Sequence, residues 1–489
     1  MKKNGIYNHV LRYTGLFGGV QGLCMLMSLV RNKFAAIFIG SIGLGLIDIF
    51  NRTLSLFSAI SSLIAPVSSV RSLSIVYERG DERQLAHQVK VVRSWTLLTG
   101  VVGLILCLVL SPLVSRWTFS NYGYTLDFIL LSPIIPLSAI TSTELAILQA
   151  TRQLRKAALA ASWGAVILML IAVPFYVILG RQGIVPALVL STIGCLIVYL
   201  RYTLPLFPWH IQPFSLTILR QGLPLLRLSI AYVLAGIAAS SAELLVRNSI
   251  IRIGNVADVG LYSSGLILTV AAAKFLFVAM DADYYPRLSS LSHRPLRMNL
   301  TVNRQLEVCV LLIAPFLICF DVMMPVIIRL LFTPKFLSVV PMAILASYYM
   351  FFKATNVPID YIALSRGEGR MYFLMETSYW VYFALFVILG YQIGGLEGAG
   401  VGLSISNFVE LIIVYTVYHR YYGLQIGRQA SRIIAVQFTL LTLGVLVSMS
   451  LNGFAKYAVG LPLFVISLGY TVRLLCRNSN LATILSRKN

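Results

Sequence analysis

Charge is what this chain has least of. Asp, Glu, Lys and Arg make up 11% of its 489 residues, about half the share usual in a soluble domain. Acidic residues are the scarcer kind: 17 Asp and Glu stand against 39 Lys and Arg, for a formal net charge of +22. The chain also lacks the short alternating segments of a membrane β-barrel. It has no Gly-x-x-x-x-Gly-Lys-[Ser/Thr] loop, so nucleotide hydrolysis is not its energy source. Its six cysteines (24, 107, 195, 309, 319 and 476) stand apart with no Cys-x-x-Cys spacing, and read as small apolar side chains. The five histidines (9, 87, 210, 293 and 419) show no ligand spacing. No metal and no cofactor is expected. No cleavable leader is expected either, since Met1-Lys2-Lys3 opens into an apolar run too long for one.

What the chain has instead is hydrophobicity, 58% by composition with a mean hydropathy of +0.84. Apolar runs near 20 residues long recur from end to end, the length that crosses a bilayer as an α-helix. We place fourteen of them, near 13–31, 42–66, 95–114, 124–149, 157–179, 183–200, 228–250, 257–280, 306–320, 338–362, 371–390, 398–418, 432–451 and 457–472. The fold class is therefore an all-α polytopic membrane protein with 14 transmembrane helices. With the N-terminus in the cytoplasm, 27 Lys and Arg fall in cytoplasmic segments and nine in outer ones. That bias predicts cytoplasmic termini at both ends. It also accounts for the basic balance without nucleic acid as a partner, and offers anionic lipid heads a complement. The outer loops between these runs hold at most 17 residues, which leaves no room for a folded catalytic site outside the membrane.

The chain repeats itself. Leu29-Val30-Arg31-Asn32 returns letter for letter as Leu245-Val246-Arg247-Asn248; Leu11-Arg12 is echoed by Leu226-Arg227, and Arg83-Gln84-Leu85 by Arg304-Gln305-Leu306. The order and near-constant offset imply two similar halves, and internal repeats in membrane proteins point to a transporter with its substrate site between them. We expect an N-lobe over residues 1–204 and a cytoplasmic linker over 205–225, marked by Pro205, Pro208 and Pro213. A C-lobe over 226–420 follows, then an appended helix pair and tail over 421–489. Ser68–Val92 and Asp281–Gln305 are long polar segments with room for interfacial helices. Gly15, Gly18, Gly19 and Gly22 give the first run two Gly-x-x-x-Gly pairs, a close-packing signal or a bendable helix.

A charge at mid-bilayer costs roughly 2.5–3.5 kcal/mol on insertion scales, so each one needs a reason. Arg52 lies about 15 Å into its run at 1.5 Å per residue, with Asp48 one turn earlier. The two either neutralise each other, or Arg52 faces a watery cavity and Asp48 serves it as a tuning group or ion site. Arg31 and Arg247 hold equivalent outer positions in the repeat, where snorkelling or a shared place at a cleft mouth explains them. Glu243 precedes Arg247 by one turn. Lys274 and Lys353 lie in the inner halves of their runs, and Glu410 sits mid-run without a basic neighbour on its own helix. Arg52, Arg31, Arg247, Lys274 and Lys353 are the candidate substrate-binding residues. A cavity they line attracts an anion such as a diphosphate, which arginine grips with paired hydrogen bonds. Glu410 and Asp48 are the candidate ion-coupling residues, for H+ or Na+.

Several short motifs then suggest a family. Gly43-Leu44-Gly45-Leu46 ahead of Asn51-Arg52 resembles the second helix of O-antigen and related lipid-linked oligosaccharide flippases. Val259-Gly260-Leu261-Tyr262 and Tyr285-Pro286-Arg287-Leu288-Ser289 resemble its eighth helix and the turn beyond. Pro334-Lys335-Phe336 is similar to its outer loop before helix ten, and Gly395-Leu396-Glu397-Gly398-Ala399-Gly400 to its eleven-to-twelve turn. The resemblance spans about 400 residues. It implies membership of the multidrug/oligosaccharidyl-lipid/polysaccharide exporter superfamily, with two pseudo-symmetric six-helix bundles in a V and alternating access. The implied cargo is undecaprenyl-diphosphate-linked oligosaccharide, moved from the cytoplasmic to the periplasmic leaflet of the bacterial inner membrane. The chain departs from twelve-helix members by its last two runs, a feature shared with lipid II flippases. A drug or cation antiporter of the same superfamily is the nearest alternative, and a membrane O-antigen polymerase or ligase a more distant one.

Overall fold

The computed structural model describes residues 3–61, 66–211, 216–289, 291 and 294–478. Each of the fourteen apolar runs lies in helix over its described residues, apart from an end residue or short break in some. The helices are α1 (Lys3–Phe38), α2 (Gly40–Ser61), α3 (Pro66–Glu78), α4 (Glu82–Phe119), α5 (Thr125–Leu131), α6 (Ile134–Ala150), α7 (Leu154–Leu179), α8 (Ile184–Thr203), α9 (Leu216–Ile253), α10 (Val256–Ser289), α11 (Pro295–Leu331), α12 (Val340–Leu345), α13 (Ser347–Ser365), α14 (Gly369–Tyr422), α15 (Arg428–Ser450) and α16 (Gly453–Asn478). Among the described residues no strand occurs. Among the described residues eight stretches, or nine counting the bent pair around Ala346, have the length and apolarity to cross a membrane. Two of the eight, Leu154–Thr203 and Gly369–Tyr422, are 50 and 54 residues long, more than twice what a bilayer needs.

The chain divides into two compact units, residues 1–260 and 261–489. In the first, α1 packs on α7, α7 on α8, α4 on α6, and α9 on both α2 and α4. In the second, α11 is the hub, covered by α13, α15 and α16, while α13 packs on α14. The appended pair α15 and α16 is thus built into this unit.

Of the two polar segments with room for interfacial helices, one holds a helix of its own. α3 is a separate helix whose buried Leu73 packs with Leu85 of α4 and Ile147 of α6. The other is consumed by its neighbours: α10 runs on to Ser289 and α11 starts at Pro295, where proline's fixed φ and missing N–H suit a first helical position.

Glycine does its packing elsewhere than in α1. A side chain at Gly19 or Gly22 would meet none of the described residues within 4 Å; the side chains at positions 15 and 18 lie outside the described ones. Close approach occurs at Gly45 and Gly260 instead. A Cβ on Gly45 would strike the Val256 carbonyl, and one on Gly260 the Ser41 carbonyl. The glycines of two resembling motifs are therefore one backbone-to-backbone contact between α2 and α10. Within α14, non-helical angles at Gly394 and Gly395 fold the helix back on itself. Gly395, at φ 56° and ψ −138°, occupies a region only glycine enters freely. Gly398 and Gly402 then lie against the backbone of Gly390 and Phe386.

Side chains from neighbouring helices also bond main-chain carbonyls near bends and prolines. The bend between α12 and α13 is about 40°; there the Ser404 hydroxyl of α14 donates to the Leu345 carbonyl at 2.7 Å. Tyr284 on α10 donates to the Pro358 carbonyl at 2.6 Å. Of the cysteines, Cys107 and Cys309 are buried as expected, whereas Cys476 is exposed near the end of α16.

Candidate functional site

In the first unit, α2 and α9 meet along a face that carries four charges. Asp48 and Arg52 lie one turn apart on α2, Glu243 and Arg247 one turn apart on α9, so both pairs project from a single side of their helix. The dominant bonds do not run along the helices but cross between them. Arg247 Nε donates to Asp48 Oδ2 at 2.5 Å, and Arg52 Nη1 donates to Glu243 Oε2. The on-helix contact from Arg52 Nε to Asp48 Oδ1 is long, at 3.5 Å. Arg247 also donates from Nη1 to the Glu243 carbonyl at 3.0 Å. Two cations and two anions make a formally neutral quartet. Its members differ in access: the Arg247 side chain is 1% exposed, Asp48 13%, Glu243 20% and Arg52 30%. Arg52 is the open corner.

Arg31, the repeat partner of Arg247, stands on α1 and reaches the neighbouring Asn32 side-chain oxygen at 3.5 Å. The two copies of the repeat thus differ in environment. Arg247 is bonded into the quartet and Arg31 is not among its bonded members; the asparagine that follows each arginine is buried in both.

In the second unit the structure brings Lys353 and Glu410 into one site. Lys353 on α13 donates to the Tyr349 hydroxyl at 3.3 Å and lies over that ring. Asn356, one turn on, donates to Glu410 Oε2 of α14 at 3.0 Å and to the Asn407 carbonyl at 3.1 Å. Asp360 and Glu376 stand within electrostatic reach of Glu410 and Lys353. Three carboxylates thus share one lysine, and nearby Tyr379 meets Trp380 and Tyr382 edge to face. Lys274 is on α10, and its side chain lies outside the described ones.

Three of the five basic candidates therefore have acidic company: Arg52 and Arg247 with Asp48 and Glu243, Lys353 with Glu410, Asp360 and Glu376. Sequence reading had paired Glu243 only with its own helix, and had passed over Asp360 and Glu376. All three lie inside apolar runs, so the rule that an embedded charge needs a reason would have flagged them. The same holds for Glu144, buried on α6 with both oxygens bonded to Arg93 of α4 at 2.7 Å. Arg93 also donates to the carbonyls of Phe207 and Pro208, 3.1 Å each, and lies against the Trp209 ring. That buried pair fastens the segment that follows α8 to α4 and α6 of the first unit. Among the described residues no group of His, Cys, Asp and Glu has the arrangement of a metal site.

A helical fold with apolar spans, broken helices and paired charges within them defines an integral membrane protein. The chain belongs to the polysaccharide biosynthesis protein family, whose sequence profile matches residues 73–341. No curated protein sequence matches it. Its fold is similar to that of the lipid II flippase MurJ in an inward closed conformation, with a TM-score of 0.68 at 12% identity over 95% of this chain and 100% of that one. It is also similar to a multidrug resistance MATE family transporter of the MOP superfamily in its inward-facing conformation, with a TM-score of 0.62 at 14% identity over 86% of this chain and 96% of that one. The outward-facing conformation gives 0.60 at 13% identity, covering 87% and 96%.

Proposed function

We propose that this protein is a flippase for undecaprenyl-diphosphate-linked oligosaccharide, an O-antigen or similar polysaccharide repeat unit. It carries the lipid from the cytoplasmic to the periplasmic leaflet of the bacterial inner membrane by alternating access. Fourteen crossings, two lobes over 1–204 and 226–420, and both termini in the cytoplasm complete the reading. The observation that carries it is Arg52: an arginine deep in a membrane helix, 30% exposed, in a member of the polysaccharide biosynthesis family. A guanidinium so placed suits a diphosphate. Arg31, Arg247, Lys274 and Lys353 are the further basic groups proposed for the substrate, and Glu410 and Asp48 are the groups proposed to take H+ or Na+ on the return stroke. Energy drawn from an ion moving down its gradient fits a chain without a nucleotide-binding loop.

A specific observation favours a second reading. Glu410, Asp360 and Glu376 outnumber Lys353 in a setting rich in aromatic rings, which suits a cationic drug and its antiported ion. Deleting the gene separates the two. Accumulation of a lipid-linked oligosaccharide on the cytoplasmic leaflet supports the flippase; unchanged lipid intermediates with raised sensitivity to cationic compounds support the antiporter.

A further inference from the structure

The quartet on α2 and α9 poses a problem for anion binding. Arg52 is its accessible cation, yet the best bond Arg52 makes is to Glu243. An anion arriving at Arg52 meets a carboxylate already in place. Two anionic groups cannot share one guanidinium in a low-dielectric setting without strong repulsion. Arg247 offers no relief, because it is 1% exposed and committed to Asp48 Oδ2 and to the Glu243 carbonyl.

From this geometry we infer that Arg52 exchanges Glu243 for a phosphate of the bound headgroup, and that Glu243, so released, takes up one proton from solution. The inference rests on the flippase reading and names how its site works. The balance is simple. The Arg52–Glu243 ion pair opens, an Arg52–phosphate pair forms, and a proton adds to the Glu243 carboxylate. Glu243 thereby becomes neutral, which removes its repulsion with the incoming phosphate. Asp48 is spared, since Arg247 stays with it.

The charged surroundings agree with this choice. Glu243 faces Arg52 and Asp48 from α2, and Arg247 from its own helix. α4 also packs on α9, but its Arg93 is held by Glu144 and its His87 bonds Gln221. At the outer end Arg252 of α9 donates to the Trp117 carbonyl. On α10, Asp258 belongs to the first turn. Arg52 is the cation bonded to the Glu243 carboxylate.

Linkage gives the direction. The anion-bound form holds one more proton than the free form, so falling pH favours binding, about tenfold in affinity per pH unit where one proton is taken up. By reciprocity, an anion on Arg52 strengthens proton binding at Glu243 to the same degree.

The test uses the full chain in lipid nanodiscs and a short-chain prenyl diphosphoryl sugar, a diphosphate diester whose own phosphates stay ionised throughout. Calorimetry in two buffers of different ionisation heat counts protons directly. Uptake of about one proton per ligand near neutral pH is expected in the wild type, absent in Glu243→Gln and retained in Asp48→Asn. Glu243→Gln should bind about tenfold tighter at the alkaline end of the range, with no pH slope. Wild-type binding without proton uptake overturns the exchange and leaves the flippase reading standing. So does a Glu243→Gln protein that keeps the full slope. Absence of binding by wild type and Glu243→Gln alike overturns both. The wild-type proton count decides the matter even if the variants fold poorly.

Discussion

The Thr471 hydroxyl donates to the Leu311 carbonyl at 2.7 Å. Leu311 is the acceptor that the amide of residue 315 would normally fill, and residue 315 is proline, with no amide hydrogen to give. A residue of the appended helix α16 thus completes the backbone of the central helix α11. Around it, Ser467 donates to Gln437 Oε1 at 2.6 Å and Gln437 Nε2 to the Thr471 hydroxyl at 3.1 Å, all three side chains buried. The last two spans are fastened to the second unit by polar bonds as well as by shape.

Thr471→Val keeps the shape and removes the donor. It should destabilise the protein by about 0.5–2 kcal/mol, the range for hydrogen bonds between membrane helices. Adding Pro315→Ala restores an amide beneath the same carbonyl, so the double variant should lose less than the two single losses combined. Unfolding in mild detergent checks this by a double-mutant cycle. Strict additivity would remove the role assigned to Thr471.

Arg93 and Glu144 are 2% and 0% exposed. Breaking a buried ion pair from one side leaves a stranded charge and costs about 3–5 kcal/mol. Arg93→Met should therefore express poorly and melt early, whereas Arg93→Met with Glu144→Leu should recover much of the loss. Because Arg93 also holds the Phe207 and Pro208 carbonyls, full recovery is not expected. Melting temperatures of the three proteins in one detergent decide it.

Arg52→Ala should lower lipid-linked oligosaccharide transport about tenfold or more, for loss of a charge-assisted contact worth roughly 1.5–3 kcal/mol. Arg52→Lys should rescue it in part, since an ammonium lacks the paired geometry of guanidinium. Transport by a well-expressed Arg52→Ala protein at the wild-type rate would falsify the assignment.

Glu410→Gln keeps the size and the bond from Asn356 while removing the charge. In proteoliposomes, an imposed pH or sodium gradient should accelerate the wild type and leave the variant unmoved. A variant that responds like the wild type returns Glu410 to a purely structural role. Indifference of both proteins means that no ion gradient drives transport.

The helices were legible because hydropathy is a property of single residues summed along the chain: each apolar run lies in helix. The partners of the charges were not, because i,i+4 spacing sees one helix at a time. Asp48 with Arg52 and Glu243 with Arg247 look like two self-contained pairs in sequence, and fold as one crossed set of four. The glycines show the same blindness. Gly19 and Gly22 fit the packing pattern yet meet none of the described residues within 4 Å, while Gly45 and Gly260, 215 positions apart, supply the close contact. Asp360 and Glu376 sat in plain view inside apolar runs; their relation to Glu410 needed the return of α14 across α13. Breaks such as Pro315 were visible, but nothing local says which distant hydroxyl will mend them.

The mended bend at Ser404 and Leu345 bears on how such proteins diverge. A hydroxyl on one helix that completes the backbone of another fixes their register through a main-chain atom, and every amino acid has the same main chain. The apolar letters around it are then free to drift, provided they stay apolar. A chain pinned at a few such points can share 12% of its residues with a protein of like fold and still superimpose on it with a TM-score of 0.68. In a deep mutational scan, tolerance should fall sharply at Ser404, Thr471 and Tyr284 and remain broad at the exposed leucines and isoleucines beside them.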